Sequence, residues 1–188
     1  MSSASLLIDA AWAPGASRRA RAVCLAVAGS LLIAISAQIK VPMWPVPMTM
    51  QTFAVLLVGF LYGSRLGAAA VALYLAEGAL GLPVFTAGGG AAQFAGPTGG
   101  YLAGFLVAAA LAGRFAEAGW SRSVPLTSIG MLLGSAVITA FGFAWLSVLF
   151  GPQKAFMAGV APFLAGDAVK AALAACLLPM AWKGLSKL

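Results

Sequence analysis

The chain has 188 residues, 62% of them hydrophobic and only 8% charged, whereas a soluble domain keeps roughly a quarter of its residues charged. A water-soluble globule is excluded, and the composition belongs in a bilayer. The formal net charge of +7 is the balance of 11 basic and 4 acidic residues, and the basic ones are scattered without a patch or stacking platform, so no nucleic-acid partner is expected.

A spanning helix needs about 20 mostly apolar residues. Stretches of this kind fall at roughly 20 to 39, 49 to 64, 66 to 81, 99 to 116, 125 to 149 and 159 to 183, separated by Gly/Pro-rich or charged breaks. The expected fold is an all-α membrane protein of six transmembrane helices, with residues 1 to 19 as a cytoplasmic tail and 20 to 188 as a single membrane domain. The arginine cluster and the apolar run after it also fit a signal peptide cleaved after Ser36, which would leave five spans.

In chain order, the first span carries small residues one turn apart, Ala22, Ala26, Ser30 and Ala34. Such a strip lets another helix approach closely, either within the bundle or from a partner. The next segment, "KVPMWPVPMTMQT", holds Pro42, Pro45 and Pro47, which forbid a helix and favour a stiff extended path. Spans two and three are short, and Gly63, Ser64, Arg65 and Gly67 leave room only for a tight turn, so they form a hairpin. "GLPVFTAGGGAAQFAGPTGG", residues 81 to 100, is a long glycine-rich loop of the kind that serves as a lid or binding loop. Met43, Trp44, Phe85 and Phe94 suggest that both loops fold onto the protein.

With the N-terminus in the cytoplasm, Arg18, Arg19, Arg21, Arg65, Arg114, Arg122, Lys183 and Lys187 lie inside and only Lys40 and Lys154 outside. That bias places both termini in the cytoplasm and both unusual loops outside. Cys24 and Cys176 sit in apolar runs and read as small packing residues without a disulfide. Histidine is absent and the cysteines do not cluster, so no metal site and no resident cofactor are expected.

The sixth span, "APFLAGDAVKAALAACLLPM", carries Asp167 and Lys170 three residues apart, hence on one helical face. With a helix start near Gly159 or Pro162, Asp167 lies about 8 to 12 Å inside the outer surface at 1.5 Å per residue. Charges at that depth are costly and mark either a functional cavity or a structural ion pair. Glu77 is either a second member of the site or an interfacial residue facing water. As chemistry, the pair offers an acceptor and a donor to a small polar ring such as a cyclic urea.

"VPMTMQTFAVLLVGFLYGSRLG", "GLPVF" and "GPTGGYLAGF", followed by a helix-borne Asp-x-x-Lys, resemble the BioY family over residues 20 to 183. These are the biotin-binding S components of energy-coupling factor (ECF) transporters. The resemblance implies a six-helix S-component fold that captures biotin from outside and works with a transmembrane coupling (T) subunit and a pair of ATPase (A) subunits. It implies that Asp167 and Lys170 meet the ligand, with Gln93 as the candidate polar side chain of the loop before "GPTGGY". The ureido ring of biotin suits the Asp167/Lys170 pair, and its thioether ring suits aromatic walls such as Trp44, Phe85 and Tyr101. Thr98 or the backbone N–H groups near Gly99 and Gly100 are expected to approach a polar end of the ligand, although these glycines equally suit close packing. The resemblance gives Ala22 and Ala26 a docking role toward the coupling subunit, with internal packing as the alternative.

The sequence has no phosphate-binding Gly-x-x-x-x-Gly-Lys-Ser/Thr motif, so energy for uptake would come from partners. Alternatives are an S component for thiamine or riboflavin, or a small intramembrane enzyme. Against an enzyme stand the single deep acid, the missing histidine and the lack of a base beside any Ser or Cys.

Overall fold

The computed structural model describes residues 6–7 and 17–185. Helices dominate: α1 (Arg18–Gln38), α2 (Gln51–Tyr62), α3 (Ser64–Ala79), the short α4 (Ala92–Ala95), α5 (Gly99–Glu117), α6 (Val124–Phe150), α7 (Pro152–Gly159) and α8 (Ala161–Leu185). A 3-10 turn, Trp120–Arg122, joins α5 to α6. Helix starts and stops follow local chemistry. Pro125 and Pro152 occupy the first turns of α6 and α7, where a missing N–H costs nothing. Gly63 (φ 83) makes the α2–α3 turn and Gly151 (φ 83) the α6–α7 turn, a backbone region that side-chain-bearing residues avoid.

Among the described residues, four stretches are long and apolar enough to cross a bilayer: α1, α5, α6 and the α7–α8 run from Pro152 to Gly184. The 12-residue α2 and 16-residue α3 reach only about 18 and 24 Å at 1.5 Å per residue, short of a hydrocarbon core of about 30 Å. They form the expected hairpin. The expectation of one helix from 159 omitted α7, which the Gly151–Pro152 start and the break at Val160 set apart from α8.

The bundle is organised around α5, which packs against α6, α2 and α3, while α1 lies on α3 and α8 on α6. Phe60, Tyr74, Ile33, Leu56, Met131 and Ile138 fill its centre. Glycines allow the closest approaches: a Cβ on Gly59 would lie 2.5 Å from the Ala109 carbonyl, and one on Gly113 2.2 Å from the Ser64 nitrogen. Small residues are what permit such contacts where hydrophobic force between helices is weak. Gly67 in turn rests on Gly59 within the hairpin. The outer faces of α1, α6 and α8 present Val23, Leu31, Ile35, Val148, Leu164 and Val169, an apolar belt suited to lipid. Cys24 and Cys176 are free thiols on the exposed faces of α1 and α8.

The two ends of the bundle differ. At one, Arg18, Arg21, Arg65 and Arg114 line two adjoining grooves that share Tyr62 and Leu66. At the other, the proline-rich segment forms a small antiparallel ribbon, β1 (Lys40–Val41) with β2 (Met48–Thr49), in the register Lys40 to Thr49 and Val41 to Met48. The glycine-rich loop closes beside it through a Phe85–Gly88 bridge and α4. Three prolines and strands of two residues leave no side-chain alternation to read, which is why the ribbon was expected only as an extended path.

Candidate functional site

Beneath the ribbon and the glycine-rich loop lies a cavity of about 160 Å³. The ribbon supplies Pro45, Val46, Pro47 and Thr49; α2 supplies Gln51 and Thr52; α3 supplies Tyr74. The long loop adds Phe85, Thr86, Ala87, Gln93, Pro97 and Thr98, and α5 and α8 close it with Tyr101, Leu102, Phe105 and Phe163. Aromatic packing sets the walls. Phe85 meets Tyr74 and Phe94 edge-on at centroid distances of 5.4 and 5.7 Å, and its ring fills the bare face of Gly78, where a Cβ would come within 2.0 Å. Tyr101 stacks on Phe163 at 5.8 Å and donates its hydroxyl to the Gly159 carbonyl at 2.6 Å, which fixes the end of α7 and the first turn of α8 against α5.

The polar centre of the cavity is Gln51, buried at the first turn of α2. Its amide nitrogen donates to the Tyr74 hydroxyl, which donates onward to the Val84 carbonyl at 3.3 Å. Its amide oxygen accepts from Thr86 at 3.0 Å and from Thr49 at 3.3 Å. One glutamine thus ties ribbon, long loop, α2 and α3 together, and among the described residues no buried side-chain polar atom lacks a partner. A satisfied network of this kind rigidifies its surroundings.

Asp167 and Lys170 lie on the α8 face that turns into the bundle, 9% and 6% exposed, with Lys170 Nζ 3.4 Å from Asp167 Oδ1. The stronger contact of Lys170 is to α2, where it donates to Thr52 Oγ1 at 2.7 Å. Thr52 is itself a wall of the cavity, so the pair stands one side chain behind that wall and does not line it. On its other side Asp167 borders a groove between α6 and α8 with Ser135, Thr139 and Leu164. Asp167 lies six positions beyond Ala161 at the start of α8, about 9 Å along the axis.

Of the residues singled out by sequence, Gln93, Thr98, Phe85 and Tyr101 line the cavity. Gln93 lies at its edge and reaches the Ala87 carbonyl at 3.5 Å. Trp44 is not brought there: it is 83% exposed and leans on Phe150 at 5.9 Å. Gly99 and Gly100 are buried against Phe94, Phe141 and Trp145, where a Cβ would meet the Phe94 carbonyl at 1.9 Å and the Phe141 carbonyl at 2.5 Å; close packing accounts for both. Glu77, half-buried, accepts a hydrogen bond from Ser30 of α1 and is not among the cavity walls. Ala22 and Ala26 are half-buried on α1, with Ala26 packed on the core.

Sequence reasoning missed Gln51, Thr52, Thr49 and Thr86. The available signal was a run of polar side chains, Thr49, Gln51 and Thr52, at the mouth of an apolar span, where buried polar groups usually have a purpose. Among the described residues, none of the lining side chains is charged at neutral pH, and no three of His, Cys, Asp and Glu come together. The site offers amide and hydroxyl hydrogen bonds inside aromatic walls, which suits holding a small polar ring and supplies no nucleophile with a base.

Fold and cavity define a multi-pass helical membrane protein built to enclose a small molecule at one end. A family model described as the BioY family matches residues 8–187, and this chain belongs to that family. It is 42% identical to a probable biotin transporter BioY of Pyrococcus horikoshii over 83% of this chain and 93% of that one. It is 40% identical to a biotin transporter BioY of Thermotoga maritima over 78% and 86%. Among solved structures, the S-component for biotin from an ECF-type ABC transporter superposes with a TM-score of 0.78 at 27% identity, covering 91% of this chain and 95% of that one.

Proposed function

We propose that this chain is the biotin-capturing S component of an ECF-type uptake transporter, not an enzyme, with the ribbon and glycine-rich loop facing outward. The observation that carries the reading is the uncharged, aromatic-walled cavity under both loops, backed through Thr52 by a buried acid and base. The ureido ring of biotin needs acceptors for two N–H groups and a donor for its carbonyl. It enters against Gln51 and Thr52; Lys170 turns from Thr52 to the ureido carbonyl, and Asp167 takes an N–H. Phe85, Tyr101 and Phe163 hold the thioether ring, with Gln93 and Thr98 near the mouth. Trp44, Gly99 and Gly100 have no contact in this scheme.

The membrane domain begins near residue 20, and six spans place both termini inside, with α2 and α3 crossing as a short hairpin. Support comes from the arginines gathered at the end opposite the cavity. Transport then requires a coupling subunit and two ATPases, because the chain has no nucleotide-binding motif of its own. Ala22 and Ala26, half-exposed on α1, are the docking strip for the coupling subunit. Competition on the purified protein tests the ligand: unlabelled biotin should displace labelled biotin, while thiamine and riboflavin should not. Displacement by either of those vitamins, or conversion of bound biotin to a new product, would overturn the assignment.

A further inference from the structure

Biotin is an anion at neutral pH, and a scheme that buries its ureido ring leaves its carboxylate unaccounted for. The cavity walls carry no charge, and behind Thr52 the charges of Lys170 and Asp167 offset each other. A carboxylate drawn into such surroundings needs a cation or several oriented donors. Lys40 stands at the seam where the two loops meet. It lies directly opposite Thr49 across the ribbon, and cross-strand partners project from the same face; Thr49 is a cavity wall. Its ammonium donates to the Thr86 carbonyl at 2.8 Å, and Thr86 is a cavity wall on the other loop, bonded to Gln51. Lys40 is therefore tied to wall residues from both sides while its outer side stays exposed, so holding its charge there requires little desolvation.

We propose that Lys40 receives the carboxylate of the ligand at the cavity mouth and so makes the site selective for the anionic form. The inference rests on the biotin assignment above. The four-carbon stem lets the ammonium pivot from the Thr86 carbonyl to the ligand without moving either loop. With the ureido ring at Thr52 and the carboxylate at Lys40, the ligand runs from α2 outward to the seam.

Equilibrium binding of biotin and of its uncharged carboxamide, measured on the wild type, Lys40→Gln and Lys40→Arg, tests this. Glutamine keeps a donor for the Thr86 carbonyl but removes the charge. Lys40→Gln should weaken biotin about tenfold and the carboxamide less than about twofold, with the biotin effect shrinking as salt is raised. Lys40→Arg should stay within about threefold of the wild type for biotin. Equal weakening of both ligands would overturn the proposal, since Lys40 would then only clasp the loops, and so would an unchanged biotin affinity. Asp167→Asn separates the two levels of the account, because it should weaken acid and carboxamide alike. If the wild type bound neither ligand, the biotin assignment itself would fall, and this proposal with it.

Discussion

The loop end and the arginine end of this bundle are built from different interactions. At the loop end, polar side chains turn inward and bond one another across separate segments: Gln51 holds Thr49, Thr86 and Tyr74, and Lys170 of α8 holds Thr52 of α2. At the arginine end stacked rings and a cation–π contact join the hydrogen bonds that fasten the helices. Phe115 stacks on Trp120 at 4.3 Å, Arg122 lies over the Trp182 ring at 4.4 Å, and the Trp182 indole donates to Ser121 at 3.0 Å. The Glu117 carboxylate, accepting from the Ser64 amide and hydroxyl at 2.7 Å, locks the α2–α3 turn to α5. Hydrogen-bond partners can be exchanged with a ligand one for one, whereas stacked rings have nothing to exchange. In the proposed scheme the loop end recognises the ligand and the arginine end holds the bundle closed.

Substitutions at the two ends should therefore separate affinity from stability. The largest effect is expected from Asp167→Asn, which preserves size but leaves Lys170 without its buried counter-charge; biotin affinity should fall at least tenfold, about 1.4 kcal/mol. Isothermal titration checks it, and unchanged binding by a folded variant would remove the pair from the site. Gln51→Leu should follow, with a loss of about threefold to tenfold, because Tyr74 and Thr86 lose their common partner next to the ligand.

At the arginine end Trp182→Ala should leave affinity within about twofold while lowering the unfolding temperature, since a cation–π contact and a hydrogen bond together are worth about 1 to 3 kcal/mol. Thermal unfolding in detergent beside a binding curve reads both quantities, and a matching loss of affinity would erase the division between the ends. The smallest effect belongs to Trp44→Ala. Its ring is exposed, so biotin affinity should move by less than about twofold, and a larger fall would bring Trp44 into the site.

Much of the architecture was legible because apolar run length and glycine or proline breaks report helices directly. The runs at 99 to 116 and 125 to 149 became α5 and α6 with shifts of one residue at the ends that moved. What stayed hidden depends on contacts between segments far apart in sequence. Thr52 and Lys170 are 118 positions apart, and nothing local to either announces the other. The pair itself was visible as a spacing, but its place behind Thr52 was not, because helical periodicity gives a face and not a neighbour. Trp44 shows a different limit: an aromatic in a proline-rich loop suggests a wall of the pocket, whereas the ribbon turns that ring toward Phe150.

In the proposed function the cavity beneath the two loops holds one molecule of biotin. Native mass spectrometry of the gently purified protein tests it most directly. One retained small molecule per chain with the mass of biotin is expected, lost when Asp167 is replaced by Asn. A different vitamin of larger or cationic type in that place, with added biotin unable to displace it, would contradict the account.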